Sequence, residues 1–240
     1  VLYEDRTDDK TLTVNTIFNT ELNENIILNA AVNYRRLRSD NFAEVIDLLG
    51  SQVGASNIDG FSQNQFDLLN PNRVAQEGDK FRYHFKIDAN ELSSFAQAQF
   101  KYSKIDFYLG ASVTKTDYQR EGIFLNENQV LRNAAGDITL DNSSGKGDKL
   151  EFTGVGAKGG FTYKISGKHL IDVNAGYLTQ APTIRNTYTN SRESHDYVGI
   201  FQGQQLGDIE LTEEKISSAD ISYIFRSPIV NARLTGFYTK

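Results

Sequence analysis

Apolar and polar residues alternate with period two through most of the chain, the spacing that sends successive side chains to opposite faces of an extended strand. The longest case is Leu150 to Leu178, LEFTGVGAKGGFTYKISGKHLIDVNAGYL, in which two such runs flank a tight turn at Ser166 and Gly167. On its first arm Val155, Ala157, Gly159, Phe161 and Tyr163 share one face, with Gly154, Gly156, Lys158, Gly160 and Thr162 on the other. On its second arm Ile171, Val173, Ala175 and Tyr177 form an apolar row, and Asp172, Asn174 and Gly176 a polar one. Water-soluble hairpins seldom run this long. A strand tilted across a bilayer needs roughly 9 to 11 residues, apolar toward lipid and polar or small toward the lumen, and the stretch fits that plan.

Three further hairpins follow the same rule. From Thr11, the residues Leu12, Val14, Thr16 and Phe18 alternate with Thr13, Asn15 and Asn19; beyond a polar turn at 21–25, Leu28, Ala30, Val32 and Tyr34 face one way and Asn29, Asn33 and Arg35 the other. Leu92 to Tyr118 carries Ala96, Ala98, Phe100 and Tyr102 outward, turns at Ser103 and Lys104, and continues with Ile105, Phe107, Leu109, Ala111 and Val113 outward and Asp106, Tyr108, Ser112 and Thr114 inward. In the last hairpin Ala219, Ile221, Tyr223 and Phe225 are answered across Ser227 and Pro228 by Val230, Ala232, Leu234 and Tyr238, which leaves Asp220 and Arg233 on the inner side.

The connections are unequal. Residues 1–10 are charged and read as the tail of a loop. A connection of about 50 residues follows the second strand, far longer than compact domains use. In it Asn41 and Glu44 imitate a capping box, Phe42, Val45, Ile46 and Leu49 keep helical spacing, and Gly50 stands where a helix would stop, which predicts a short loop helix. Phe81, Tyr83, Phe85 and Ile87 alternate with Arg82, His84, Lys86 and Asp88, a strand that would extend above a membrane. Polar stretches at 119–149 and 179–212 separate the remaining hairpins. Four short turns thus fall at one end and three long loops at the other, the layout of outer-membrane barrels with periplasmic turns and external loops. Phe18, Tyr102, Phe107, Phe161, Tyr163, Tyr223 and Phe225 lie near the turns and Tyr34, Tyr177 and Tyr238 near the loops, as two interfacial girdles would.

Composition narrows this reading. With 39% hydrophobic residues, a mean hydropathy of −0.46 and no long apolar run, a helical membrane protein is excluded, whereas a barrel spends only alternate residues on lipid. Cysteine, methionine and tryptophan are all absent. The first absence excludes a disulfide framework and a thiolate metal site, and the second suggests a fragment whose targeting segment would lie upstream. A net charge of −6 with dispersed basic residues argues against a nucleic-acid partner.

Motifs of chemistry weaken on inspection. Gly154, Gly156 and Gly159 spell the dinucleotide fingerprint, but that motif must open a helix, and here a strand continues. Gly167 and Lys168 precede His169 rather than Ser or Thr, so no P-loop follows. Ser194, His195 and Asp196 are triad residue types, yet consecutive side chains do not converge. His84, His169 and His195 are isolated and read as solvated, and the Asp and Asn residues from Asp137 to Asp148 lack a calcium-loop pattern. The chain reads as no enzyme, with no cofactor and no metal. The loop at 179–212 nevertheless gathers Arg185, Tyr188, Arg192, His195, Tyr197 and Phe201, aromatics beside cations that suit a polar ligand.

Taken in order, NPNRVAQEGDKFRYHFKIDAN, SSFAQAQFKYSKIDFYLGASVTKTDYQREG, GAKGGFTYKISGKHLIDVNAGYLTQAPTIRN and EKISSADISYIFRSPIVNARLTGFYTK resemble the barrel of TonB-dependent outer-membrane receptors, most closely the subgroup with a carboxypeptidase-regulatory-like domain before its plug. The match spans most of Asn70 to Lys240 and includes an Ala-Pro segment at Ala181 and Pro182 and a Glu-Lys-rich segment from Glu213 to Lys215. The resemblance implies an all-β fold, a transmembrane antiparallel barrel of about 22 strands around a plug, of which residues 1–240 supply about eight strands of one partial domain. It also implies a function: ligand-gated import across the cell outer membrane. Energy would arrive from the TonB complex through a plug outside this chain, lipid would surround the barrel, and the ligand would be a siderophore, oligosaccharide or peptide. Arg35, Asp106, Tyr108, Lys158, Asp172, Asn174, Asp220 and Arg233 are its expected lumen-facing residues. The rival readings are a complete small barrel of structural or adhesive role and a soluble β-rich binding protein.

Overall fold

The structure, a computed structural model, describes residues 1–55 and 65–240. In chain order it comprises β1 (Leu2–Asn23), β2 (Ile26–Asp47), β3 (Lys80–Lys101), β4 (Ile105–Gly122), β5 (Val130–Arg132), β6 (Ile138–Asp141), β7 (Gly145–Lys164), β8 (His169–Gln180), the short helix α1 (Ile184–Thr187), β9 (Ile200–Phe201), β10 (Gln204–Gln205), β11 (Glu214–Arg226) and β12 (Asn231–Thr239). Eight of these form one antiparallel sheet in the order β1-β2-β3-β4-β7-β8-β11-β12. Each long strand pairs with its sequence neighbours, as short un-knotted connections favour. The sheet does not close: among the described residues β1 pairs only with β2, and β12 only with β11.

Cross-strand register carries the alternation through the whole sheet. Phe18, Ala30, Ala96, Ala111 and Ala157 stand opposite one another on the outer face, and the next row, Asn19, Asn29, Gln97, Gly110 and Lys158, points the other way. Nearer the loops the two faces exchange character. The outer row becomes Lys10, Arg38, Asp88, Gln119 and Lys149, and the inner row Thr11, Leu37, Ala89, Tyr118 and Leu150. On that inner surface Phe81, Tyr83, Phe85 and Ile87 of β3 join Tyr118, Leu150, Phe152, Phe66, Phe124 and Tyr188 in the buried core. The loops therefore fold over the inner face and bury it, while the outer face carries ion pairs such as Arg38 with Asp88 at 3.3 Å and Lys149 with Asp117 at 3.0 Å.

Two sequence expectations are corrected. Residues 2–10 are no loop tail but the first part of β1, and 41–47 form no helix but the end of β2, each residue of 41–47 except Ile46 having a partner on β1. The helical spacing misled because a short helix is marginal without a face to bury, whereas Asn41 has ladder partners on both sides, Thr7 and Phe85. The supposed helical stripe scatters accordingly: Val45 is fully buried, whereas Leu49 is exposed. Charge replaces hydrophobicity as the cross-strand signal, with Arg6 Nη1 3.0 Å from Glu44 Oε2. Only Gly50 keeps an expected role, reversing the chain at φ +81°. The long connection shrinks to 48–79, and Phe81 to Asp88 proves continuous with β3. A bulge at Arg82 (φ +64°), opposite the step from Phe42 to Ala43, twists the strand there.

Glycines in and beside the false fingerprint have steric roles. A Cβ at Gly154 would stand 2.4 Å from the Thr179 carbonyl oxygen, and one at Gly160 2.7 Å from the Val173 carbonyl oxygen and 2.3 Å from Asn174 Oδ1. Gly236 on the edge strand faces open space. Gly160→Val is expected to destabilise the folded sheet by about 1–3 kcal/mol through overpacking, and Gly236→Val to be neutral, as compared by thermal unfolding; equal effects would show that this packing is absent.

Candidate functional site

All eight expected inward residues share one face of the sheet, and five of them are linked. Tyr108 Oη donates to Asn174 Oδ1 at 3.1 Å, and Asn174 Nδ2 donates to Asp220 Oδ1 at 3.1 Å and to Asp172 Oδ2 at 3.4 Å. Asp172 also accepts from Thr162 Oγ1 at 2.8 Å and meets Arg233 Nη2 at 3.4 Å. Asp106 pairs with Lys164 Nζ at 2.7 Å, and Lys158 Nζ lies 4.7 Å from the Phe95 ring centroid. Arg35 stands apart on β2. These contacts join Tyr108, Asn174, Asp220, Asp172 and Arg233 into one polar network on that face.

The six loop candidates divide. Arg185, Tyr188 and Arg192 line one cavity of about 550 Å³ between the loop after β8 and the inner face, closed below by Leu37, Ser39 and Asn41 of β2 and by Phe85 and Ile87 of β3. Thr183 caps the four-residue α1 that positions Arg185, its side chain accepting from the Asn186 amide. Arg192 Nη2 reaches Asp5 Oδ2 at 2.9 Å and its guanidinium lies 4.7 Å from the Tyr83 ring centroid, so it ties the loop to β1. Tyr188 is buried, and among the described residues its hydroxyl has no partner at hydrogen-bond geometry. Burial pushes that phenol up to about 12, and leaving such a group unpaired costs about 1–3 kcal/mol. The cavity thus combines an exposed guanidinium, an apolar wall and a small polar floor, which suits a ligand with both apolar and polar parts.

The other three lie elsewhere. Tyr197 bridges Tyr188 through the backbone and borders a separate hollow beside Leu150 and Phe152. Phe201 is 57% exposed on the small β9–β10 hairpin. His195 is not a solvated histidine but part of a buried junction between the loops. Neither is His84 solvated, since its Nε2 lies 2.8 Å from Asp40 Oδ1 and burial holds its ring below the usual histidine value.

Sequence reasoning missed the centre of that junction, Arg120. It is 2% exposed, and its Nε donates to the Ser191 carbonyl at 2.7 Å and its Nη1 to the Ser143 carbonyl at 2.9 Å. Its Nη1 also lies 3.0 Å from His195 Nδ1, and its guanidinium 5.3 Å from the Phe85 ring centroid. Burial pulls it down to about 10, still protonated near neutrality. Gly122 permits the junction, because a Cβ there would fall 1.6 Å from the Ser143 carbonyl oxygen. Around it the His195 amide donates to the Asn142 carbonyl at 2.8 Å, and Asn142 Nδ2 to Asp196 Oδ1 at 2.6 Å. Asp141, held below the usual carboxylate range by donors from Ser144 and Ser143 against its burial, turns the chain beside it. Nothing local in YQREG marks an arginine for burial; the signal was its inward parity, in step with Tyr118.

No protein-family model matches the chain, and no curated protein matches it.

Arg120→Leu would strand the Ser143 and Ser191 carbonyls in the interior, a loss of about 1–3 kcal/mol for each unsatisfied group. Limited proteolysis should then cleave between 181 and 213 while far-UV circular dichroism retains the strand signal; uncleaved loops would show that Arg120 is not what joins them.

Proposed function

We propose that the chain is a sector of an outer-membrane active-transport receptor of the TonB-dependent kind, which binds a small ligand at its loops and imports it. The observation that carries this reading is the exchange of character between the two faces at one height. Below it, from Ile105 to Val113 on β4 and from Val155 to Tyr163 on β7, the outer face is apolar, about the length a tilted strand needs to cross hydrocarbon. Above it the same parity carries Lys10, Arg38, Asp88 and Lys149. A sheet in uniform solvent has no reason to make that change along a single line, whereas a bilayer boundary imposes it.

Aromatic placement supports the same boundary. Phe100 and Phe107 stack with centroids 4.4 Å apart near the short turns, and Phe18, Tyr102, Phe161, Tyr163 and Tyr223 expose their rings outward there. The polar ladder from Tyr108 to Asp172 then faces a lumen, and the two open edges accept further strands of a larger barrel of about 22. In this reading lipid covers the outer belt, a plug outside this chain fills the lumen, and the TonB complex acts on that plug. The cavity at Arg185, Tyr188 and Arg192 captures the ligand, of the siderophore, oligosaccharide or peptide class. The chain performs no bond-making chemistry.

Single cysteines test the sidedness cleanly, since the chain has none of its own. In the full-length protein on whole cells, cysteine at Asp137 should react with a membrane-impermeant maleimide and cysteine at Lys104 or Ser166 should not; equal labelling sinks the topology. For capture, Arg185→Gln should lower uptake at least about tenfold and Tyr188→Phe about two- to tenfold, as expected for the loss of a charge-assisted and a neutral hydrogen bond to the ligand. Unchanged uptake removes the cavity from the route.

A further inference from the structure

His195 sits where a second proton is unwelcome. Arg120 Nη1 lies 3.0 Å from its Nδ1, and the Ser144 carbonyl oxygen lies 3.0 Å from its Nε2. A guanidinium offers only N–H groups and a carbonyl only lone pairs, so this pair of contacts selects the neutral ring with its proton on Nε2. A proton added at Nδ1 would set N–H against N–H and cation against cation. The ring also has no space to slide, because a Cβ at Gly147 of β7 would stand 2.6 Å from Nδ1.

The charged groups around the ring come from every element packed on it. Arg120 of β4 opposes the added proton, and Asp141 of β6 and Asp148 of β7 favour it. Asp196 of the ring's own segment is engaged by Asn142 Nδ2 and by the Gly203 amide at 3.3 Å. Burial is the largest influence, and together with Arg120 it prevails, so His195 is held below its ordinary value of 6.5.

Arg120 connects this ring to the cavity. Its Nε bond to the Ser191 carbonyl holds the segment whose neighbours Asn190 and Arg192 form the cavity wall. We propose that the Arg120–His195 contact is a pH-sensitive latch, which locks the loop at 181–213 onto the loop at 123–144 and thereby holds the cavity wall in place. The inference rests on reading that cavity as the capture site, and it adds release on acidification.

The direction follows from linkage. The open loop binds the proton more readily than the latched one, so latching is fully favoured above the ordinary histidine value. It weakens as pH falls through that value and stops changing once the depressed value of the latched ring is passed. Each unit of depression contributes at most about a tenfold change in the latching equilibrium.

Hydrogen exchange on the full-length protein in detergent micelles reads the latch without a ligand. The His195 amide, bonded across the junction to the Asn142 carbonyl, and the Val198 amide, bonded to Thr187 within the latched loop, should lose protection between about pH 8 and about pH 5 after correction for intrinsic rates. His195→Gln, which keeps the ring's polarity without its titration, should abolish that pH response; His84 remains in both proteins and so does not produce the difference. Gly147→Ala, which displaces the ring, should give low protection at both pH values. Equal wild-type protection at the two pH values, a response surviving His195→Gln, or a protected Gly147→Ala loop would each overturn the latch. A working latch with uptake indifferent to Arg185→Gln condemns the capture reading alone, and pH-independent loops with Arg185-dependent uptake condemn the latch alone.

Discussion

Parity is the constraint on which the rest of this structure depends. In an antiparallel ladder a residue and its partner point to the same side, so one misplaced residue would turn a whole strand inside out. Across β2, β3, β4 and β7 the register keeps every alanine of the row from Ala30 to Ala157 on one side and every member of the row from Asn29 to Lys158 on the other. Irregularities are confined to strand ends and the loop side, at Arg82, between Gln119 and Glu121, and near Leu2 and Glu21. Between those points residues alternate sides without interruption, although Ile17, Phe95 and Phe237 set apolar side chains on the polar face.

The same parity explains how the loop end is built. Inward positions that are polar near the turns become Phe85, Ile87, Tyr118 and Phe152 under the loops, and these supply the apolar surface that the loops bury. Hydrophobic contact alone would leave the two large loops free to slide. Their register is set by polar groups with fixed directions, above all the three donations from Arg120 to Ser191, Ser143 and His195. A buried guanidinium that meets only neutral acceptors is costly to desolvate, which makes it a poor source of stability and a good source of specificity. The unpaired Tyr188 hydroxyl beside the cavity is a second local cost, of the sort that structures tolerate where a ligand supplies the missing partner.

Most of the sheet was legible because alternation is a local signal, and the eight inward candidates all fall on one face because parity propagates through each hairpin. What failed was non-local. The stretch from Asn41 to Leu49 has helical spacing and a helical cap, yet its neighbours β1 and β3 decide its conformation, and neither is visible in the stretch itself. Residues 1–10 looked irregular because their partners are charges on β2 and the loop after β8, Glu44 and Arg192 among them. Of the six loop candidates, Arg185, Tyr188 and Arg192 line one cavity while His195, Tyr197 and Phe201 lie elsewhere, because sequence proximity does not resolve which way a folded loop turns each residue. Arg120 was invisible for the converse reason: it lies far in sequence from Ser191 and His195, and only the folded loops bring them together.

A nitroxide scan along β8 from Leu170 to Tyr177 tests the central claim most directly. In the full-length protein reconstituted into lipid vesicles, Ile171, Val173, Ala175 and Tyr177 should give labels readily relaxed by lipid-soluble oxygen, and Leu170, Asp172, Asn174 and Gly176 labels relaxed by a water-soluble nickel chelate or shielded from both. A strict two-residue oscillation of the two accessibilities, opposite in phase, is the signature of a sheet with lipid on its outer face. Nickel accessibility at Val173 and Ala175 equal to that of exposed loop positions would contradict it.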